Sequence, residues 1–384
     1  MNDRQDSRGI IERGCCMNSR ERLIKALKGG IPDRVPISTY ELVGWNSDSF
    51  ENQQESYRPL MDYIREKTDC IYMTGVSMVN RYVQEHTRVE KWREGKSTYI
   101  RVTLTTPKGE LTKLDRIDCG INTVWHVEHF VKDDYDIEKY LSIPDDLVPV
   151  DTSHLKSIEE ALGDKGIISV DIADPLCTAA ELFHFGDFTV KAYTDTNTFI
   201  KLLDKIAEER MFFLNDMLKK GAGPLFRIVG PEYATPPYLS TEYFHKFVCN
   251  YDKKMIQLIH DYGKLARIHC HGRIKDALPH IVEMEADALD PVEAPPSGDI
   301  ELKEVKRLYG SHFCIMGNIQ LRDLETASEE EMRNITIKCM EAAKEGGGFI
   351  IMPTASPINV PLSPVTEKNY RVFIDTALEY GVYR

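Results

Sequence analysis

Two histidines separated by a single residue stand at the end of a short apolar run. The run covers residues 265–271, reads Leu-Ala-Arg-Ile-His-Cys-His, and is followed by Gly272. Side chains alternate between the two faces of a strand, so His269 and His271 point to one face and Cys270 points to the other. Two imidazoles on one face can bind the same metal ion. The spacing therefore predicts a strand that brings two imidazoles to one site.

A glutamate follows the next apolar run and supplies a third possible ligand. That run covers residues 288–292 and is followed by Glu293. Two imidazoles and a carboxylate form a ligand set that zinc accepts with its fourth position open. Asp290 is a further candidate ligand, or it is expected to accept a hydrogen bond from one histidine and orient it. The alternatives are hydrogen-bonded core histidines, a solvated Glu293, and an Asp290 that caps the backbone before Pro291.

A polar and aromatic loop follows an earlier apolar run. It covers residues 230–238 and contains Glu232 and Tyr233, either of which is a candidate to transfer a proton or contact a substrate. Asp171 is a further acid at the end of the preceding run. An ordinary turn explains the composition of the loop as well as a catalytic role does.

Short apolar runs alternate with longer helical patterns, which is typical of a parallel sheet with right-handed helical crossovers. The predicted strands are residues 35–40, 70–75, 166–171, 225–230, 265–271, 288–292, 313–317 and 349–353. Eight such units predict a single (β/α)8 TIM barrel, whose active site lies at the carboxyl ends of the strands. The candidate residues follow strand ends, so we expect them to surround one mouth.

The pattern changes between residues 82 and 129. Alternating apolar and polar positions, with a turn at Pro107, predict antiparallel hairpins inserted between two barrel units. An N-terminal helix is predicted to begin at Asn18 or Ser19, because both side chains can cap a helix, and to end before Gly29. Residues 346–348, all glycine, are expected to make a tight helix-to-strand turn and not a phosphate-binding loop.

Composition excludes several classes of protein. The net charge of −13 argues against a nucleic-acid partner and an anionic membrane surface. No apolar run approaches the roughly 18 residues that a membrane-spanning helix needs. Residues 1–16 lack the apolar segment of a signal peptide and are expected to be a disordered extension, with the barrel domain covering 17–384. Nine scattered cysteines favour reduced thiols and a cytoplasmic location.

Several segments together resemble the uroporphyrinogen decarboxylase superfamily. The similar motifs are Asn-Ser-Arg-Glu-Arg-Leu from Asn18, Ile-Pro-Asp-Arg-Val-Pro from Ile31, His-Cys-His-Gly from His269, Phe-Cys-Ile-Met-Gly-Asn-Ile from Phe313 and Thr-Glu-Lys-Asn-Tyr from Thr366. The resemblance covers residues 17–384. It implies a (β/α)8 barrel, in agreement with the strand count.

The resemblance implies one of two enzymatic branches. Uroporphyrinogen decarboxylases carry an arginine-rich segment after the first strand that holds the porphyrinogen carboxylates. That place here reads Tyr-Glu-Leu-Val-Gly-Trp, from Tyr40 to Trp45, and contains no arginine. This departure favours the other branch, the corrinoid-dependent methyltransferases. Because the chain has no second domain for a corrinoid, the resemblance implies that a separate corrinoid protein is the partner.

The resemblance to this branch also implies a zinc site. Members that act on coenzyme M bind zinc through histidine and cysteine, and a glutamate can complete the site. His269 matches the histidine, His271 replaces the first cysteine, and Glu293 falls where the glutamate is expected. Ala355 stands in the last turn, where the second cysteine would be. Imidazole in place of thiolate leaves a harder Lewis acid, better suited to polarising oxygen than to activating a thiol.

These observations predict a methyltransferase of an O-demethylation system. It would move a methyl group from a small methoxylated, aromatic compound to the corrinoid protein, while zinc, Glu232 or Tyr233 stabilises the oxygen that leaves. Trp45, Tyr72 and Tyr238 are expected to line the substrate pocket. A decarboxylase, a methylcobamide:thiol methyltransferase and a non-catalytic corrinoid-binding protein are the alternatives.

Overall fold

The computed structural model describes residues 17–383, so the expectation for residues 1–16 lies outside the described part. The strands are β1 Cys70–Gly75, β2 Val79–Asn80, β3 Thr87–Glu94, β4 Ser97–Thr106, β5 Gly109–Asp118, β6 Trp125–Glu128, β7 Leu147–Val148, β8 Gly166–Ala173, β9 Leu225–Val229, β10 Leu265–Cys270, β11 Ala288–Pro291, β12 Cys314–Ile319 and β13 Phe349–Pro353. The α-helices are α1 Ser19–Leu27, α2 Phe50–Gln53, α3 Arg58–Lys67, α4 Arg81–Glu85, α5 Asp134–Leu141, α6 Ser153–Leu162, α7 Pro175–Glu181, α8 Phe185–Thr194, α9 Thr196–Lys219, α10 Thr241–Phe244, α11 Asn250–Asp261, α12 Leu278–Glu283, α13 Leu302–Tyr309, α14 Leu321–Thr326, α15 Glu329–Ala343 and α16 Pro364–Tyr380. Shorter helical turns cover Gly163–Lys165, Pro231–Ala234 and His245–Cys249.

Seven strands form one curled sheet in the order β1, β8, β9, β10, β11, β12 and β13. Every pairing in this sheet is parallel, so each connection must return across the sheet before the next strand begins. The predicted strands at these positions are confirmed, and their ends agree within two residues. The predicted class, an α/β TIM-barrel-like fold, is confirmed with them.

The first predicted strand, residues 35–40, is not a regular strand, and this corrects the sequence prediction. Its backbone still lies between the two edges of the sheet. The carbonyl of Pro36 accepts a hydrogen bond from the amide of Ile351 at 3.0 Å, and the carbonyl of Ile37 accepts one from the amide of Asp69 at 2.8 Å. Pro36 has no amide hydrogen to complete a ladder. The segment therefore occupies the eighth position of the barrel as an irregular extended chain.

Alternate side chains of the parallel strands fill two separate cores. Those that face inward pack together with Leu23, Ala26 and Leu27 of α1, which closes the amino-terminal end of the barrel. Those that face outward pack against the surrounding helices. The predicted cap of α1 is confirmed, because the side chain of Asn18 accepts a hydrogen bond from the amide of Glu21 at 2.9 Å.

The predicted insertion is confirmed as an antiparallel sheet outside the barrel. It contains β3, β4, β5 and β6, in that order, and it precedes α5 in the chain. Its inner face packs Leu104 and Leu111 against Ile143. The three glycines before β13 all have positive φ, which confirms the predicted tight turn. Across residues 17–383, no helix combines the length and the apolar character needed to cross a membrane.

Candidate active site

The inward face of β10 carries Arg267 and His269, and His271 follows directly beyond the strand. The ring centroids of His269 and His271 lie 4.6 Å apart, and the two rings are nearly perpendicular, at 87°. Cys270, between them, is buried in the outer core against the helices. The prediction that both histidines share one face is therefore confirmed.

Asp290 joins two of these side chains. It lies opposite His269 on the neighbouring strand, and its Oδ2 accepts a hydrogen bond from Nδ1 of His269 at 2.7 Å. Its Oδ1 accepts a second hydrogen bond from Nε of Arg267. Burial alone would raise the pKa of Asp290, but the charges and hydrogen bonds of Arg267 and His269 lower this pKa well below its ordinary value. Asp290 is therefore an ionised carboxylate, and it orients His269 as the sequence predicts.

His269 is held in its neutral form. Burial lowers its pKa to about 3, despite the opposing charge of Asp290. Because Nδ1–H donates to Asp290, the lone pair of Nε2 is the free acceptor of the ring. This Nε2 lies 3.4 Å from the hydroxyl oxygen of Tyr40. His269 can therefore accept a hydrogen bond or a proton at Nε2.

Tyr40 covers His269 and connects it to a second ion pair. The two rings are stacked with centroids 6.0 Å apart, and the Tyr40 oxygen accepts a hydrogen bond from Nη2 of Arg227 at 2.6 Å. Nη1 of Arg227 lies 3.4 Å from Oδ2 of Asp171. Tyr40 has a φ of 58°, a left-handed conformation that costs energy for a residue with a side chain. Strained backbone at the barrel mouth thus fixes a phenol over an imidazole.

Sequence reasoning missed Tyr40, Arg227 and Arg267 as site residues. The two arginines are register partners on β9 and β10, and they are 5% and 0% exposed. A charged residue inside an otherwise apolar strand was the signal, because arginine is almost never fully buried unless it is paired. No comparable signal marked Tyr40, whose partners are distant in sequence.

Three carboxyl groups near the mouth have raised pKa values. Burial raises the pKa of Asp171 to about 6, against the opposing charge of Arg227. Burial also raises the pKa of Glu41 and that of Glu232, and the nearby charge of His271 partly offsets the shift of Glu232. Within the described residues, Oε2 of Glu232 and Oδ1 of Asp171 are buried without a hydrogen-bond partner. Carboxyl groups of this kind keep a proton closer to neutral pH and can act as general acids.

His271 and Glu293 form a second, more accessible pair. Nδ1 of His271 lies 3.4 Å from Oε2 of Glu293, which also accepts a hydrogen bond from the amide of Gly272 at 2.8 Å. Burial alone would lower the pKa of His271, but the hydrogen bond and charge of Glu293 raise it. Burial alone would raise the pKa of Glu293, and the same pairing lowers it. This imidazole is therefore a cation at a pH where His269 is neutral.

The three predicted zinc ligands lie close together but are engaged with other groups. His269 is bound to Asp290 and faces Tyr40, while His271 is paired with Glu293. In the part of the chain that the structure describes, no group of three or more histidine, cysteine, aspartate or glutamate side chains is placed to hold a metal ion. The donor set as arranged does not fit zinc, and zinc binding stays a prediction.

Tyr233 and Tyr238 belong to an aromatic cluster beside the mouth. The ring of Tyr233 lies 6.1 Å from Phe185 and 5.8 Å from Phe188, measured between centroids. Tyr238 contacts Phe185 edge to face at 4.6 Å and is 42% exposed. Neither tyrosine has a described hydrogen bond to His269, so their predicted catalytic and substrate-binding roles stay predictions.

Tyr72 and Trp45 lie outside the barrel interior. Tyr72 packs with Leu162 in a small outer cluster against which Trp45 is also packed. Ile71 and Met73 are the side chains of β1 that face inward. This placement argues against the predicted pocket role of Tyr72, because the alternation of β1 turns its ring away from His269.

Comparison with known proteins identifies a family that matches this chain and a solved structure with a similar fold. The family model described as uroporphyrinogen decarboxylase (URO-D) matches residues 118–380. A solved methyltransferase from Methanosarcina mazei is similar over 95% of this chain and 99% of that chain, with a TM-score of 0.59 and 16% identity. A Bacillus subtilis mannanase is similar over 93% and 92% of the two chains, but its TM-score of 0.43 and 12% identity carry no argument. No curated protein sequence matches significantly.

Proposed function

The chain belongs to the uroporphyrinogen decarboxylase family, and within that family we propose that it is a methyltransferase. The proposed reaction moves a methyl group from the oxygen of a small methoxylated aromatic compound to a corrinoid carried by a separate partner protein. The similarity over nearly the whole chain to a protein described as a methyltransferase supports this proposal. The acid–base groups at the barrel mouth support the choice of an oxygen leaving group.

The observation that carries the proposal is the set of protonatable groups around His269 and His271. Removing a methyl group from an ether breaks a carbon–oxygen bond and leaves the electron pair on oxygen. An alkoxide or phenoxide is a poor leaving group unless it is protonated or stabilised as it forms. Glu232 has a raised pKa and lies near the cationic His271, so it is suited to give its proton to that oxygen.

The residues of this chain would perform the binding and proton-transfer parts of the reaction. A reduced corrinoid on the partner protein would supply the nucleophile that takes the methyl group. Glu232 donates the proton, and the cation of His271 helps to stabilise negative charge as it develops on oxygen. Glu293 holds His271 in place, and Asp290 does the same for His269.

A decarboxylase is the second candidate within the family, and the buried arginines bear on it. A polycarboxylated tetrapyrrole needs cations that are free to pair with its carboxylates. Arg267 is fully buried and bound to Asp290, while Arg227 is bound to Tyr40 and close to Asp171. Glu41, Glu232 and Glu293 add further acids to the mouth. This arrangement disfavours a polyanionic substrate.

The test is an anaerobic assay with a reduced corrinoid protein and a panel of methoxylated aromatic compounds. We expect the visible spectrum of the corrinoid to change as it is methylated, and the matching phenol to appear. Glu232→Gln should slow the transfer by roughly 10²- to 10⁴-fold, the usual contribution of a general acid. Glu341→Gln, a change of an exposed acid on α15, is the matched control and should leave the rate unchanged. Transfer to a thiol with no activity on any ether, or decarboxylation of uroporphyrinogen, would overturn the proposal.

A further inference from the structure

A cavity of about 380 Å³ lies between the inserted sheet and the helices outside the barrel. Its walls come from the inserted sheet, from the end of α5 and from α9, so it is separate from the mouth around His269. Most of its lining is apolar and includes Val83, Val102, Leu104, Phe130, Ile143, Leu182 and Phe213. Its volume is within the range of small-molecule binding sites, which are mostly apolar with a few polar groups.

Cationic side chains outnumber acidic side chains in the lining of this cavity. Lys113, Lys205 and Arg210 line it together with one acid, Glu209. Burial raises the pKa of Glu209, against the opposing charges of Lys205 and Arg210. The lining therefore contains more cationic than acidic side chains, in a chain whose net charge is −13.

Arg210 is the cation that remains available to a ligand. Lys113 is bound to Asp115 at 2.8 Å, and Lys205 is bound to Asp145 at 2.6 Å. Arg210 instead donates to the sulfur of Met78 at 3.3 Å and to the hydroxyl of Thr178 at 3.1 Å.

No carboxylate of residues 17–383 forms a salt bridge with Arg210, and its Nε is buried without a hydrogen-bond partner in the same residues. A guanidinium that is partly removed from water with no carboxylate in salt-bridge contact is unfavourable. The carboxylate of a bound ligand would accept charge-assisted hydrogen bonds from Arg210, because the planar guanidinium group matches the geometry of a carboxylate.

We propose that this cavity binds a small carboxylic acid with an apolar body, whose carboxylate pairs with Arg210. The apolar walls contributed by the inserted sheet and α9 would receive the hydrocarbon part. A single available guanidinium fits one carboxylate better than a phosphate dianion, because both lysines already have partners. The inserted sheet thus has a role of its own: it builds one wall of a second binding site.

The test is binding of three defined probes to the full chain, measured by calorimetry and by the shift of the thermal midpoint. The probes are 4-phenylbutyrate, octanoate and 2-naphthoate, each compared with its neutral primary amide and with phenyl phosphate. We expect at least one acid to bind and raise the midpoint, because a ligand that binds only the folded state stabilises it. Its amide should bind roughly tenfold more weakly or worse, since hydrogen bonds to charged groups are the stronger ones.

Two variants locate the binding. Arg210→Gln removes the charge, and Val102→Phe fills the cavity without touching Arg210. Each should weaken binding of the acid by roughly tenfold or more. Arg307→Gln, a change of an exposed arginine on α13, is the matched control and should bind as the wild type does. Circular dichroism verifies that each variant is folded.

Four outcomes would overturn the proposal. They are no binding of any of the three acids at millimolar concentration, equal binding of acid and amide, stronger binding of phenyl phosphate than of every acid, and unchanged binding in both folded cavity variants.

Discussion

The two ends of the barrel interior are built from opposite kinds of side chain. At the amino-terminal end, apolar residues such as Leu225 and Ile350 pack against α1. At the carboxyl-terminal end, Asp290 and its partners form a buried network of charges. Arg267 lies at the boundary, with its terminal nitrogens 3.9 Å from the sulfurs of Met73 and Met352.

The two ends therefore differ in how they respond to loss of a side chain. An apolar core loses contacts gradually as atoms are removed, because neighbouring side chains relax toward the gap. A buried charge network fails abruptly, because removing one partner leaves the other charged and unpaired in a dry environment. The carboxyl-terminal end holds the groups that can perform chemistry. The apolar amino-terminal end supplies the stability that makes the buried charges tolerable.

The largest effect on stability is expected from Asp290→Asn. This change leaves Arg267 buried without a counter-ion, and we expect the free energy of unfolding to fall by about 3–5 kcal/mol. Ile350→Val at the amino-terminal end of the barrel is the matched comparison. It should lower the free energy of unfolding by only about 0.5–1.5 kcal/mol. Urea denaturation of both variants measures the difference. Equal losses would show that the charge network is not the sensitive end of the barrel.

A smaller effect is expected from Tyr40→Phe. Removing the hydroxyl takes away an acceptor for Arg227 and the oxygen that faces His269, while the strained backbone and the ring stay. We expect a loss of about 1–3 kcal/mol, the cost of leaving a buried donor unsatisfied. The same denaturation assay applies. If stability is unchanged, Tyr40 does not couple the two ion pairs.

Much of this interior could be predicted from sequence, because strand alternation is local. The shared face of His269 and His271 and the contact of Asp290 both follow from the order of residues along β10 and β11. Tyr40 could not be predicted in the same way. Its partners Arg227 and His269 lie 187 and 229 residues away in the chain, and no local pattern reports such contacts.

The two predictions that differ from the structure, for Tyr72 and for residues 35–40, failed for physical reasons of the same kind. Alternation showed that Tyr72 and Ile71 face opposite ways, but not which of the two faces the barrel interior. Residues 35–40 have the composition of a strand, yet Pro36 removes a ladder hydrogen bond and leaves the segment irregular. Zinc binding stays a prediction. That prediction counted donors, and no local pattern showed that Glu293 would pair with His271.

The smallest effect is expected from His271→Gln, and it depends on pH. The raised pKa of His271 means that its contribution is full below the unfolded value of 6.5 and is lost as pH rises through the folded pKa. The lowered pKa of Glu293 means that its contribution is full above 4.5 and is lost as pH falls. The pair should therefore stabilise most between pH 4.5 and 6.5.

Because His271 is partly exposed, we expect this difference between wild type and variant to stay below about 1 kcal/mol. Unfolding measured across the pH range would locate it. A difference that keeps growing above pH 6.5 would contradict the assigned charges of the pair.

The most direct measurement of the central claim is the dependence of methyl transfer on the acidity of the leaving phenol. A series of methoxylated aromatic compounds with ring substituents of increasing electron demand varies that acidity while the methyl group stays the same. If Glu232 protonates the leaving oxygen, Glu232→Gln should slow transfer most for the least acidic phenols and least for the most acidic ones. A slowing by the same factor across the whole series would contradict a proton-donating Glu232 at the barrel mouth.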